Sequence, residues 1–207
     1  MTDRSFNLKL LIMPRSQEQL DDIRKQKKKL IIGVALELFA ENGYHASSIS
    51  QISQKAGISK GLIYNYFQSK KEILDELIAD GFNEIYDNFD FNKDGILTEE
   101  EFVYFIRQNF KMLRDNMQHW KLFFSLLLQP QVTETFAIDY KEKGEPIFKM
   151  LYTFLKLKGS ADPEGDLMVI SAMLEGAFLY AVTATDIFPM EIMEEKIINA
   201  CFKIIKG

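Results

Sequence analysis

Residues 47–67 read "SSISQISQKAGISKGLIYNYF", and the reading of this stretch decides the fold. Ser48 stands where it can cap a short helix on which Ile49, Ile52 and Ala56 share one side. Gly57 follows, and a glycine turns the chain through positive φ without the clash a Cβ would bring. Ser59 offers a second cap, and Leu62, Ile63 and Phe67 are the apolar anchors of the helix it opens. Two short helices joined by a glycine turn make a helix-turn-helix, whose second helix enters the major groove of DNA by its N-terminal end. On that helix Lys60, Tyr64, Asn65 and Tyr66 would face DNA. Ser69-Lys70-Lys71 opens the next helix, where free backbone N–H groups and lysines grip phosphate. Tyr64 and Tyr66 have a second reading as core aromatics, which Phe67 already satisfies.

The charge distribution agrees. The 207 residues carry a net charge of −5, yet residues 1–71 hold 12 Lys/Arg against 6 Asp/Glu and residues 72–207 hold 13 against 24. The balance is therefore +6 in the first part and −11 in the second. A basic head on an acidic body fits a nucleic-acid partner for the head. The run Arg24, Lys25, Lys27, Lys28, Lys29 spans more than one helical turn and cannot all face one partner. It reads as a solvated face, from which one or two cations add non-specific phosphate attraction.

Helical periodicity extends over nearly the whole chain, and the fold class is all-α. Ile23, Leu30, Ile31, Val34 and Leu38 mark one face of a helix over 17–42, closed by Gly43. Short helices over 48–56 and 60–66 precede a longer one over 70–89. Further helices are expected over 99–114, 117–128, 132–157, 164–185 and 189–205, punctuated by Pro130, Gly144-Glu145-Pro146, Gly159 to Pro163 and Pro189. The organisation is then an N-terminal arm over 1–16, a DNA-binding head over 17–71 and a helical regulatory body over 72–207. The arm is expected to be disordered, or its first dozen residues to come from an upstream translation start.

The stretch "IIGVALELFAENGYHASSISQISQKAGISKGLIYNYFQSKKEIL", residues 31–74, resembles the N-terminal DNA-binding domain of the TetR family of transcriptional regulators. The resemblance implies a homodimer on an inverted-repeat operator, usually a repressor released by a small ligand. It places Ser48, Ser50 and Gln51 at the start of the supporting helix, where backbone and some base contacts arise. It places Ser59, Lys60, Gly61, Leu62, Tyr64, Asn65 and Tyr66 at or on the recognition helix, and Lys70 at the phosphate-gripping lysine. Leu62 and Asn65 fall at variable positions, so the operator sequence stays open.

The same resemblance implies that the body holds an effector pocket and a dimer interface made by the last two helices. Ser171, Ala172, Gly176, Ala177 and Ala181 allow close helix approach. Met168, Ile170, Leu174, Phe178, Ile192, Ile197, Ile198 and Phe202 supply apolar surface for a two-fold four-helix interface. Met117, Trp120, Phe123 and Phe124, with Tyr152 or Phe154, are candidates to line the pocket of an unidentified small-molecule effector. Plain core is the competing reading for each of them.

One stretch stands apart from this plan. "DFNKDGILTEEE", residues 90–101, has Asp90, Asn92, Asp94 and Glu101 at places 1, 3, 5 and 12 and Gly95 at place 6. Calcium takes six to eight oxygens, a glycine lets the chain fold sharply around it, and a final glutamate gives two oxygens at once. Ile96 would add its carbonyl, Thr98 a bridging water, and Leu97 the apolar residue at place 8. From ordinary residue frequencies the pattern arises by chance on the order of 10⁻³ times in a chain of this length. Phe82, Ile85, Tyr86 and Phe89 before it and Phe102, Phe105 and Ile106 after it complete a resemblance to a single EF-hand. A plain link remains open, since Thr98-Glu99-Glu100-Glu101 is also a capping box and Asn92 to Gly95 a good turn. A bound ion would brace the joint between head and body, or bias DNA affinity.

Other classes find little support. His45 and His119 have no partner at metal-binding spacing, and no nucleophile elbow, phosphate loop or dinucleotide glycine pattern occurs, so no enzyme is expected. The single cysteine, Cys201, fits a reducing cytoplasm and a buried position. No membrane partner is expected, because no apolar run approaches the roughly 18–20 residues that a spanning helix needs. The reading is a cytoplasmic, dimeric regulator; its rival is a calcium-responsive binding module with no operator function.

Overall fold

The computed structural model describes residues 16–206, and among them every regular element is an α-helix. In chain order these are α1 Gln17–Asn42, α2 Ile49–Lys55, α3 Lys60–Tyr64, α4 Lys70–Tyr86, α5 Glu99–Asp115, α6 Met117–Leu127, α7 Thr133–Leu157, α8 Pro163–Thr183 and α9 Met190–Lys206. The all-α expectation holds, element by element. The expected disordered arm falls, Ser16 apart, outside the described residues.

Local chemistry sets the helix starts. Ser16 and Gln19 cap α1 reciprocally, and Ser48, Ser59 and Ser69 each accept an N–H from the first turn of the helix they open. The inner face of α1 is Ile31, Ala35, Leu36, Leu38 and Phe39. Leu30, expected on that face, is exposed, whereas the buried residues of α1 run from Ile31 to Phe39, where the helix packs among its neighbours α2, α4 and α6. α1 ends where Gly43 takes φ 87°.

α4 joins head to body. Ile73, Leu74 and Leu77 serve the head core, and Gly81 and Phe82 lie against the body, so α4 packs on both α1 and α7. It stops at Tyr86, three residues earlier than the periodicity suggests, and Phe89 is carried into the core by the turn after it.

In the body α8 lies at the centre, against α5, α6, α7 and α9. Its 21 residues are long and apolar enough, by length and composition, to cross a membrane, contrary to expectation. Ile170, Leu174, Ala177, Phe178, Ala181 and Val182 put much of that apolarity into the chain's own core. Hence Ile170, Leu174, Phe178 and, on α9, Ile198 are not the unpartnered surface the sequence suggested. The exposed apolar strip consists instead of Met168, Val169, Ala172 and Tyr180 on α8 and Ile192 on α9.

Candidate nucleic-acid interface and effector cavity

The head separates buried anchors from an exposed polar face. Ile49, Ile52, Ile63 and Phe67 are buried. Ser48, Ser50, Gln51, Ser59, Lys60, Gly61, Tyr64 and Asn65 are exposed, and Leu62 is half-buried. The Ser48 hydroxyl accepts the Gln51 N–H at 3.3 Å and donates to Gln51 Oε1 at 2.8 Å. Ser59 Oγ accepts the Leu62 N–H at 3.1 Å. Gly57 turns between the helices at φ 64°. Eight of the candidate DNA contacts are thus exposed to solvent.

Two candidates sit differently. Tyr66 is half-buried, with the Arg24 guanidinium of α1 5.6 Å from its ring centre, so its ring packs between helices. Lys70 is turned inward. Its ammonium donates to the carbonyls of Tyr44 at 2.7 Å, Ser47 at 2.8 Å and His45 at 3.3 Å, and lies 4.4 Å from the Tyr44 ring centre. An ammonium has three N–H donors, and three carbonyls occupy them. Lys70 therefore fastens the α1–α2 loop rather than reaching phosphate; its pKa is lowered by burial. Lys28 is likewise engaged, with Glu76 at 2.7 Å.

A residue that sequence reasoning missed joins the body to this loop. Gln129, just after α6, donates from Nε2 to the Phe39 carbonyl at 2.8 Å and accepts the Tyr44 N–H at Oε1, 3.0 Å. A glutamine between an apolar segment and Pro130 gives no signal of that role.

The same end of α6 borders a cavity of about 250 Å³. Phe82, Ile85 and Tyr86 of α4, Phe89, Phe105 of α5, Phe124, Leu127 and Leu128 wall one side; Tyr140, Ile147, Phe148 and Leu151 of α7 and Ser171, Leu174, Glu175, Phe178 and Leu179 of α8 wall the other. The polar groups are few. Tyr140 donates its hydroxyl to Glu175, and burial, then that carboxylate, pushes its pKa up; burial does the same to Tyr86.

Of the sequence candidates for this cavity only Phe124 lines it. Trp120, Phe123 and Phe154 are fully packed core, and Met117 and Tyr152 are half-buried outside the lining. The reason is the packing of α6 on α1 and α8, together with the Phe123 ring, which covers Gly81 of α4 so tightly that a Cβ there would lie 2.3 Å from it. That contact turns the Trp120–Phe123 side of α6 into core and leaves Phe124 facing the cavity.

The loop 90–101 folds about its own side chains. Asp90 Oδ1 and Oδ2 accept the N–H groups of Asp94 and Gly95 at 3.2 and 2.9 Å, Asn92 Oδ1 accepts Asp94 N–H at 2.9 Å, and Asp94 Oδ1 accepts Ile96 N–H at 2.8 Å. Lys93 and Gly95 take φ 60° and 77°. Leu97 is buried, Ile96 exposed, and the capping box between Thr98 and Glu101 is formed. Among the described residues no three His, Cys, Asp or Glu side chains are gathered about one point.

A helix-turn-helix head whose polar face is exposed, on a helical body with an apolar cavity, defines a class of DNA-binding regulators. Residues 31–77 match the family model of bacterial regulatory proteins, tetR family, and the head of this chain belongs to that family. The fatty acid metabolism regulator protein of Bacillus subtilis is 33% identical over 91 residues, which are 44% of this chain and 47% of that protein. The match thus spans about half of that relative's length. Among solved structures, the fatty acid degradation regulator FadR of Bacillus halodurans superposes with TM-score 0.69 at 19% identity, over 84% of this chain and 94% of that one. The transcriptional regulator FadR of Bacillus subtilis, solved in complex with stearoyl-CoA, gives TM-score 0.67 at 20% identity, over 85% and 98%. At those identities the likeness establishes the shared fold alone.

Proposed function

We propose that this protein is a cytoplasmic transcriptional regulator that binds an inverted-repeat operator as a homodimer and acts as a repressor. The observation that carries the reading is the head itself, where the recognition-helix groups are presented to solvent and their anchors are buried. The exposed strip Met168, Val169, Ala172, Tyr180 and Ile192 supports a two-fold interface between α8–α9 pairs. A two-fold dimer in turn favours a palindromic site.

The effector proposed is a ligand with a long acyl chain. The cavity lining is apolar apart from Tyr86, Tyr140, Ser171 and Glu175, and a structural relative is described in complex with stearoyl-CoA. A calcium ion in loop 90–101 is a second proposed ligand, at the joint of head and body. Selection of duplexes from a random pool by the purified protein, followed by displacement with stearoyl-CoA, tests both halves. Enriched inverted repeats that are released by the acyl thioester are expected. No enriched duplex would sink operator binding and favour a calcium-responsive module; enrichment without release would sink the acyl effector.

A further inference from the structure

We infer that Glu175 makes the cavity reject a chain that ends in a carboxylate, so that its ligand is an uncharged ester or thioester of a long-chain acid and not the free acid. The inference rests on the acyl-chain reading of the cavity and adds which form of the chain is accepted.

The polar part of the lining is gathered in one place. Ser171 and Glu175 stand one turn apart on α8, and both line the cavity. Tyr140 of α7 donates its hydroxyl to Glu175 Oε1 at 2.5 Å. Tyr86 of α4 lies near enough for the Glu175 carboxylate to add, after burial, to the rise in its pKa. Glu175 is exposed and Tyr140 half-buried, whereas Phe82, Phe89, Phe105, Leu151 and Phe178 are buried. The four polar side chains thus mark a mouth, and the buried part of the wall is aromatic and aliphatic. An amphiphile entering such a cavity sets its chain against the apolar wall and its polar end at the mouth. The reverse arrangement would put methylenes on a carboxylate and three hydroxyls and leave the polar end unpaired among rings.

The mouth carries one sign of charge. Among the described residues that line the cavity, Glu175 is the only acid, and none is Lys, Arg or His. Lys143, one turn after Tyr140, is engaged with Asn83 of α4 at 2.7 Å and is not in the lining. A carboxylate head would therefore meet like charge with no cation in the lining to compensate it. It would also find the one proton of the Tyr140 hydroxyl already donated to Glu175. An ester or thioester presents a carbonyl oxygen without the charge, and the hydroxyls of Tyr86 and Ser171 can donate to it. In a coenzyme A thioester the phosphates are held a pantetheine arm away from that carbonyl. Glu175 faces solvent, so screening keeps the discrimination to about tenfold in affinity.

Displacement of the uncharged dye Nile red from full-length protein tests the inference. The competitors are methyl dodecanoate and dodecanoate, which share a chain and differ in charge. The proteins are wild type, Glu175→Gln and Glu175→Lys, each checked by its thermal melt. The ester is expected to bind wild type about tenfold tighter than the free acid anion. Glu175→Gln should narrow that gap to about threefold or less by tightening dodecanoate, and Glu175→Lys should reverse the order. Dodecanoate that binds wild type as tightly as the ester, or a gap that neither substitution changes, overturns the role of Glu175 and leaves the acyl-chain reading standing. Failure of both compounds to displace the dye overturns the acyl-chain reading itself.

Discussion

Gln129 Nε2 donates to the Phe39 carbonyl at 2.8 Å, across the boundary between body and head. The same side chain accepts the Tyr44 N–H, and Tyr44 in turn lies under the Lys70 ammonium. Leu127 and Leu128, its immediate predecessors, line the cavity. A change of α6 at the cavity therefore reaches the loop before α2 through one amide. Gln129→Ala removes both hydrogen bonds and leaves the Tyr44 N–H without its acceptor, while the Phe39 carbonyl keeps the Gly43 N–H. It is expected to lower stability by about 1–3 kcal/mol in denaturant unfolding and to weaken the response of DNA affinity to ligand. Unchanged stability and response would show that the amide carries nothing.

The Phe123 ring of α6 packs directly on Gly81 of α4. A Cβ at position 81 would sit 2.3 Å from two ring atoms of Phe123, which is itself buried, so the ring would have to shift within the core. Gly81→Ala is expected to cost about 1–3 kcal/mol in unfolding experiments despite its higher helix propensity. A stabilised Gly81→Ala protein would contradict the packing described.

Cys201 is fully buried, and burial pushes its thiol up to about 12. The native protein is expected to resist iodoacetamide at pH 8 and to react on unfolding. The raised pKa also has a stability consequence. Above pH 9 the unfolded thiol loses its proton while the folded one keeps it, so stability falls as pH rises from about 9 toward 12. Tyr86 and Tyr140, both raised, add to that loss above about pH 10. Cys201→Ala should delay the onset of the alkaline decline in thermal melts by about one pH unit; an unchanged onset would contradict the burial argument.

The head was legible from sequence because each of its helices is announced locally. Ser48, Ser59 and Ser69 cap, Gly57 turns, and the anchors follow at helical spacing. The body was less legible because its decisions are tertiary. Nothing local distinguishes Phe123, covered by Gly81, from Phe124, which faces the cavity. Periodicity also could not tell that Leu174 and Phe178 serve the chain's own core while Met168 and Ile192 remain outside. Lys70 sits at a helix start where lysines meet phosphate, yet the three carbonyls of a loop 23–26 residues earlier capture it.

The difference between Lys60 and Lys70 gives the most direct test of the central claim that the exposed face of α2–α3 binds DNA. The measurement is fluorescence anisotropy of a selected duplex, titrated with wild-type, Lys60→Ala and Tyr64→Phe proteins over a range of salt concentrations. Wild-type affinity should fall steeply with salt, and Lys60→Ala should weaken binding and reduce the salt slope by about one with the melting temperature unchanged. Tyr64→Phe should weaken binding without changing that slope. Lys70→Ala, by contrast, should lower the melting temperature first. Wild-type binding that is indifferent to salt, or Lys60→Ala and Tyr64→Phe proteins that bind as tightly as wild type, would contradict the account.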